Sequence, residues 1–198
     1  MPKLSVRIFD LTVAICLGVI LIIPSIIIGI LIKLTSNGPI LFSQERVGYK
    51  EKIFKIYKFR TMSLGSSKHG AITIGNDERI TKIGKFLRKT KMDEFPQLIN
   101  IYKGEMSFVG PRPDTPEYAK YYRECNEKFF LMVPGITGKA SIYLSNEEEL
   151  MAKVKDPVEY YKNKIIPLKV ELNNYHLNNN NIFSNIKVMF ETLFKVIK

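Results

Sequence analysis

The apolar positions of this chain gather first into one block. From Leu11 to Ile32 no residue is charged, and Asp10 and Lys33 bound the run. A straight helix over that block rises roughly 33 Å, enough for a bilayer's hydrocarbon core of about 30 Å. Pro24 lies inside it. Proline has no N–H to donate, and its ring clashes with the carbonyl one turn back, here that of Ile20. The pattern therefore predicts a membrane helix kinked or broken at Pro24. Two topologies are open: a kinked helix that spans, and a re-entrant hairpin in which Ser25 bonds a carbonyl freed by the break. Lys3 and Arg7 precede the block, and Lys33, Arg46, Lys50 and Lys52 follow it. Positive residues favour the cytoplasmic side, so a spanning helix satisfies one flank and a hairpin satisfies both. The run exceeds a signal-peptide core of about 7–15 residues and no A-x-A site ends it, so it is expected to stay on the chain.

Downstream the period changes. Asn37-Gly38-Pro39 reads as a turn, residues 40–47 as a short strand, and residues 52–60 as a second strand alternating basic and apolar side chains. Residues 63–78 are rich in Gly, Ser, Asn and charge and read as a loop. Ile80, Ile83, Phe86 and Leu87 recur at helical spacing over 79–87, and a further helix is predicted from Pro96 to Tyr102, closed by Gly104. Rigid loops at Val109–Pro113 and Pro134–Gly138 flank a predicted helix over 115–131. Residues 146–175 read as helical with breaks at Pro157 and Pro167, and 178–181 as a polar surface loop. The stretch 182–198 is amphipathic, with Ile182, Ile186, Met189, Phe190, Leu193 and Ile197 on one face, either packed on the domain or laid in the headgroup layer. The fold class is α+β and mostly helical. Residues 1–36 form the membrane helix, and 37–198 form one domain with a C-terminal amphipathic helix.

Composition adds the partner class. The 198 residues carry a net charge of +11, which favours anionic partners: nucleic acid, acidic headgroups or phosphorylated small molecules. The apolar block turns that preference toward lipid, and nucleic acid is not expected. The chain has no CxxC, and His69 and His176 are isolated, so a zinc site is not expected.

The candidate chemistry centres on Asp93-Glu94. Pro96 follows closely and favours a first helical turn, so both acids sit at a helix start. Acids there ordinarily serve as caps. Here Arg88, Lys89 and Lys91 crowd the same place, and a helix start is also where phosphate binds. A carboxylate attacking phosphorus meets like-charge repulsion of about 1 kcal/mol per charge pair at 4 Å in water, and several-fold more in a drier site. Cations must offset it, supplied by Arg and Lys side chains and a magnesium ion, with one acid attacking and the other holding the metal. Lys58 and Arg60 in the second strand and Arg112 between two prolines are further phosphate-binding candidates. The prolines restrict the direction of Arg112.

These stretches together resemble the bacterial sugar transferases, the monotopic phosphoglycosyl transferases. The resemblance is carried by RIFDL at 7–11 with the prolyl apolar helix after it, FKIYKFRTM at 54–62, MDEFPQLINIYKGEMSFVGPRP at 92–113 and PGITG at 134–138. It implies transfer of a phospho-sugar from a UDP-sugar to a polyprenyl phosphate with release of UMP, as a first step of glycan assembly. It implies Asp93 as nucleophile through a covalent aspartyl intermediate, Glu94 tied to Mg2+, and Lys58, Arg88 and Arg112 as phosphate ligands. It further implies a re-entrant helix in the bacterial inner membrane with the catalytic domain on the cytoplasmic face. Two stretches depart from the family pattern: Ile23 stands where Ser often precedes the proline, and Lys139–Ser145 lacks the family's Asn-Gly-Arg. The rival reading, a non-catalytic basic adaptor on acidic lipid or a partner protein, accounts for charge and helix but not for the clustered Asp93, Glu94, Arg88 and Arg112.

Overall fold

The computed structural model describes residues 3–63 and 78–197. Helix α1 (Leu4–Thr35) is one element of 32 residues, about 48 Å long, and is long and apolar enough to cross a membrane by length and composition. It buries a stripe at Val6, Asp10, Ala14, Ile28, Gly29 and Ile32, with Leu17 and Leu21 partly buried on the same core. Spacings of three and four keep these positions on one face. The other face leaves Ile15, Val19, Ile22, Ile26 and Ile30 exposed. Of the two expectations at Pro24, a kink and a break, the break into separate helices is not found; α1 runs through Pro24 as one element. Proline removes a single donor, and the stripe on both sides of it is held by packing.

Strands β1 (Leu41–Val47) and β2 (Ile53–Phe59) form an antiparallel hairpin, with Leu41 opposite Phe59 and Val47 opposite Ile53. The tight return uses Lys50 and Glu51 at positive φ. Phe54 and Ile56 point inward, as the alternation requires. Helix α2 (Lys82–Thr90) begins with Thr81 accepting from the Gly84 N–H. Lys91, at φ 58°, reverses the chain into a 3-10 turn (Met92–Gln97) that continues as α3 (Leu98–Lys103). Strand β3 (Ser107–Val109) pairs in parallel with β4 (Gly135–Thr137), which is formed by the PGITG segment. The helix expected over 115–131 is cut to α4 (Ala119–Cys125) between two 3-10 turns. Aromatic stacking in this region, including Tyr122 on Phe129, needs side-chain directions that one straight helix does not supply.

Helices α5 (Lys139–Tyr143), α6 (Glu147–Ala152), α7 (Pro157–Tyr160), α8 (Ile166–Asn179) and α9 (Ile182–Ile197) complete the fold. Pro157 starts α7 as expected, with Asp156 capping the Glu159 N–H at 2.9 Å. Pro167 does not break the chain: it lies in the first turn of α8, which a π turn (Tyr161–Ile165) joins to α7. Helix α8 takes in Asn178 and Asn179, which were expected in a loop. In α9 the expected apolar face is divided: Ile182, Ile186 and Met189 are half-buried, while Phe190 and Leu193 are exposed. Asn185 and Val188 are buried, while Phe183, Phe190, Leu193 and Phe194 are exposed. Among residues of the loop expected at 63–78, 64–77 lie outside the described residues.

One core joins α1 to the hairpin, α3, β3 and α9 through Ala14, Phe54, Ile56, Ile101, Phe108 and Val188. A second joins the far part of α1 to β2 and α2 through Ile28, Ile32, Phe59 and Leu87. A third, with Tyr122, Phe130, Met151 and Ile166, seats α4 and the C-terminal helices.

Burial lowers His176 on α8 from 6.5 to about 4. The folded state accepts the neutral ring, whereas the unfolded chain takes up a proton below pH 6.5. Stability is thus complete above that pH and lost as pH falls toward 4. The expected loss is about 2 kcal/mol between pH 7 and pH 5. Denaturant melts at the two pH values measure it, and His176→Leu should remove most of the difference.

Candidate active site

The site grows from three elements brought to one place. The Lys91 reversal puts Asp93 and Glu94 in the first turn of the 3-10 segment, both buried. Strand β2 supplies Lys58. Strand β3 runs into Gly110-Pro111-Arg112-Pro113, which supplies Arg112. Gly110 is dictated by packing: a Cβ there would stand 2.3 Å from the Val133 carbonyl oxygen, across the parallel pair. Asn100 fastens β2 to α3. Its Nδ2 donates to Lys55 O at 2.7 Å and to Glu105 Oε2 at 2.8 Å, and its Oδ1 accepts from the Tyr57 N–H at 3.2 Å. Those bonds set the height of Lys58 against Glu94.

Glu94 is the hub. Its Oε1 accepts from Lys58 Nζ at 3.1 Å and from Arg112 Nη2 at 2.6 Å, and its Oε2 accepts from Arg112 Nη1 at 3.3 Å. The fork of Arg112 matches the carboxylate plane, the stronger form of such a pair. Burial opposes ionisation of Glu94, yet Arg112 and Lys58 hold its carboxyl far below the usual carboxylate range. In return, Glu94 raises Arg112. Burial lowers Lys58, with Glu94 opposing. Asp93 has the opposite balance. Burial raises its carboxyl, with Lys58 the first influence pulling it down. Asp93 Oδ1 is buried without a hydrogen-bond partner. The Arg112 side chain stays 39% exposed, so the cluster has one open cationic edge.

Of the residues expected from sequence, the structure brings together Lys58, Asp93, Glu94 and Arg112. Arg60 is placed differently. Its guanidinium bonds Asn37 O at 2.6 Å, Ser36 O at 2.9 Å and Ser36 Oγ at 2.7 Å, closing the end of α1. Strand alternation put Arg60 on the face of Lys58, but the chain end it caps was invisible to that pattern. Arg88 Nε bonds Thr61 Oγ1 at 3.2 Å, and its Nη1 pairs with Glu148 at 3.6 Å. Sequence reasoning missed Asn100, Gln97 and Asp114. Gln97 is fully buried one turn after Glu94, with neither amide atom partnered. Asp114 accepts from Tyr122 Oη at 3.0 Å and from Tyr161 Oη, and pairs with Arg46 at 3.5 Å. Arg46 also donates to Pro113 O at 3.3 Å, so this network grips the loop beside Arg112. A polar residue interrupting an apolar helical run was the available signal for Asn100.

A sequence model of the family described as bacterial sugar transferase matches residues 1–198. The chain is 42% identical over 133 residues to a Bacillus subtilis (strain 168) protein provisionally named undecaprenyl-phosphate N-acetylgalactosaminyl 1-phosphate transferase, covering 66% of this chain and 70% of that one. It is 39% identical over 142 residues to the UDP-N-acetylgalactosamine-undecaprenyl-phosphate N-acetylgalactosaminephosphotransferase of Aeromonas hydrophila, covering 68% of this chain and 34% of that one. It is 36% identical over 173 residues to the UDP-glucose:undecaprenyl-phosphate glucose-1-phosphate transferase of Escherichia coli (strain K12), covering 85% and 35%. The match thus spans about a third of the length of the last two relatives.

The hub predicts an asymmetry. Glu94→Gln leaves two cations facing a neutral amide and should cost about 3 kcal/mol. Lys58→Met leaves the Arg112 fork in place and should cost clearly less. Thermal or denaturant melts of the two variants check the order.

Proposed function

The chain belongs to the bacterial sugar transferase family, and from that premise we propose that it moves a phospho-sugar from a UDP-sugar to a polyprenyl phosphate, releasing UMP. The observation that carries the reading is the buried acid pair, in which Glu94 is gripped by two cations while Asp93 Oδ1 has no partner. A carboxylate nucleophile must be unencumbered, and one raised by burial is more basic once its proton has gone.

In the first half-reaction an Asp93 oxygen attacks the β-phosphorus of the donor. The bond from that phosphorus to the bridging oxygen breaks, its electron pair leaves on UMP, and the phospho-sugar stays on Asp93 as an acyl phosphate. In the second, a phosphate oxygen of the polyprenyl phosphate attacks the same phosphorus and frees the Asp93 carboxylate. Arg112, with its exposed edge, and Lys58 face the transferring group. Arg88 stands as a further phosphate ligand, released from Glu148 when an anion competes.

The charges of Asp93 and Glu94 are matched one for one by Lys58 and Arg112, so the donor's diphosphate brings uncompensated charge. The residues fit a magnesium ion: Glu94 Oε2 carries one long bond, to Arg112 Nη1 at 3.3 Å, and magnesium binds through one or two carboxylates, waters and substrate phosphates. Glu94 Oε2 would therefore offer the ion its protein contact, leaving Asp93 Oδ1 free to attack. Bound there, the ion supplies positive charge against the repulsion between carboxylate and phosphate.

The reaction also needs a meeting place for a soluble donor and a lipid acceptor. Both ends of α1 are bonded to the same domain, through Arg7 and Asp10 at one end and Arg60 at the other. A crossing helix would carry one end away from its partners. This supports a helix that enters the lipid by its exposed apolar face and leaves both ends beside the catalytic domain, on the cytoplasmic face of the inner membrane by the flanking positive charge. The exposed Phe183, Phe190 and Phe194 of α9 suit the headgroup boundary. A basic adaptor would require neither the acid pair nor its cationic grip.

Asp93→Asn should abolish UMP release from UDP-sugars in the presence of polyprenyl phosphate and magnesium, with the melting temperature nearly unchanged. Mass spectrometry of wild-type enzyme with donor alone should find the phospho-sugar on Asp93; an adduct trapped on another residue overturns the assignment.

A further inference from the structure

The two cations that grip Glu94 stand next to residues bolted to opposite ends of α1. At the first end, Asp10 is only 1% exposed. It accepts from Ser107 Oγ at 2.7 Å and from the Phe108 N–H at 3.4 Å. Ser107 and Phe108 open β3, the strand that delivers Arg112. One turn earlier, Arg7 donates to Ile101 O at 2.6 Å and to Tyr102 O at 3.1 Å, closing the helix that follows Asp93 and Glu94. Tyr102 Oη returns a bond to Ala14 O at 2.6 Å. At the other end, Arg60 holds Ser36 and Asn37 through three bonds of 2.6–2.9 Å. Arg60 lies two residues after Lys58, one position past the end of β2.

These latches are not needed to bury α1. Val6, Ala14, Ile28 and Ile32 already do so. Burying charge costs desolvation that an apolar side chain of similar volume avoids, and the best-attested return on that cost is register. An apolar stripe tolerates a helix that slides or rolls by part of a turn. Asp10 on two donors and Arg60 on three acceptors do not.

We infer that Asp10 and Arg60 are positioning residues, which use α1 as a brace to hold Arg112 and Lys58 at the spacing that grips Glu94. The inference rests on the phospho-sugar transfer reading for its kinetic consequence and on the geometry alone for its structural one. A shift of about 1 Å in a catalytic group can cost on the order of a hundredfold in rate. The latches therefore act on turnover even where the lipid plays no part.

The test uses the full chain in detergent, following UMP release from UDP-sugar without lipid acceptor, so that membrane seating is removed as a variable. Asp10→Ala and Arg60→Met should each lower the single-turnover rate at least about tenfold, with donor affinity changed less than about threefold. Asp10→Asn, which keeps the shape and can still bond Ser107 and Phe108, should recover to within about threefold of wild type. Hydrogen exchange should quicken at 108–112 in Asp10→Ala and at 56–60 in Arg60→Met. If Asp10→Ala does not fold, Ser107→Ala removes the same hydroxyl bond and carries the test. Folded variants with wild-type rates, or exchange changes confined to α1, overturn the inference. A wild-type protein that releases no UMP from any donor counts against the reaction instead, and the exchange measurement then decides the latches on its own.

Discussion

A single carboxylate held by two cations organises this protein. Glu94 takes Lys58 from the hairpin and Arg112 from the parallel strand pair onto its two oxygens, and each partner arrives from a different part of the chain. The pairing is buried, so neither side can be abandoned cheaply: a lone charge in that place would lack both water and counter-ion. The same economy frees Asp93. With the hydrogen bonds of Lys58 and Arg112 going to its neighbour, its own oxygen Oδ1 is left without one. Two adjacent acids of the same chemistry thus acquire different characters from their surroundings, one an anchor and the other available to react.

The elements that carry the anchor are set by short, local reasons. Lys91 takes a left-handed conformation and turns the acids into a first helical turn. Gly110 admits the backbone of Val133. Asn100 ties a helix to a strand that pairs with a different strand. None of these residues touches the open edge of the cluster, yet each sets the position of one that does.

Legibility in the sequence followed this division. The hairpin, the acids at a helix start and the importance of Arg112 could be read because alternation, capping and proline restriction are local rules. The turn at 48–50 placed the ends of the two strands for the same reason, whereas the left-handed Lys91 gave no signal and the helices on either side of it run over other bounds than expected. What was misread depended on tertiary partners. Arg60 has the spacing of a site residue, and its distant partner, the end of α1, was not visible in strand period. Which side of α9 packs on the domain depends on partners that the helical period does not name: Asn185 and Val188 are buried, and Phe190 and Leu193 stay exposed. Pro167 was read as a break because a π turn is not signalled by any residue. Asp10, which merely bounds an apolar run in the sequence, proved to bind a strand 97 residues away.

The attachment of α1 at both extremities also bears on how such a chain is made. A crossing segment obliges one flank to traverse the hydrocarbon, and each lysine or arginine taken to its centre costs about 2.5–3.5 kcal/mol by insertion scales. On the proposed topology, Lys3 and Arg7 on one flank and Lys33 on the other would never leave water. Entry would then require only partition of a greasy flank from one side, with no hydrophilic stretch carried across the hydrocarbon.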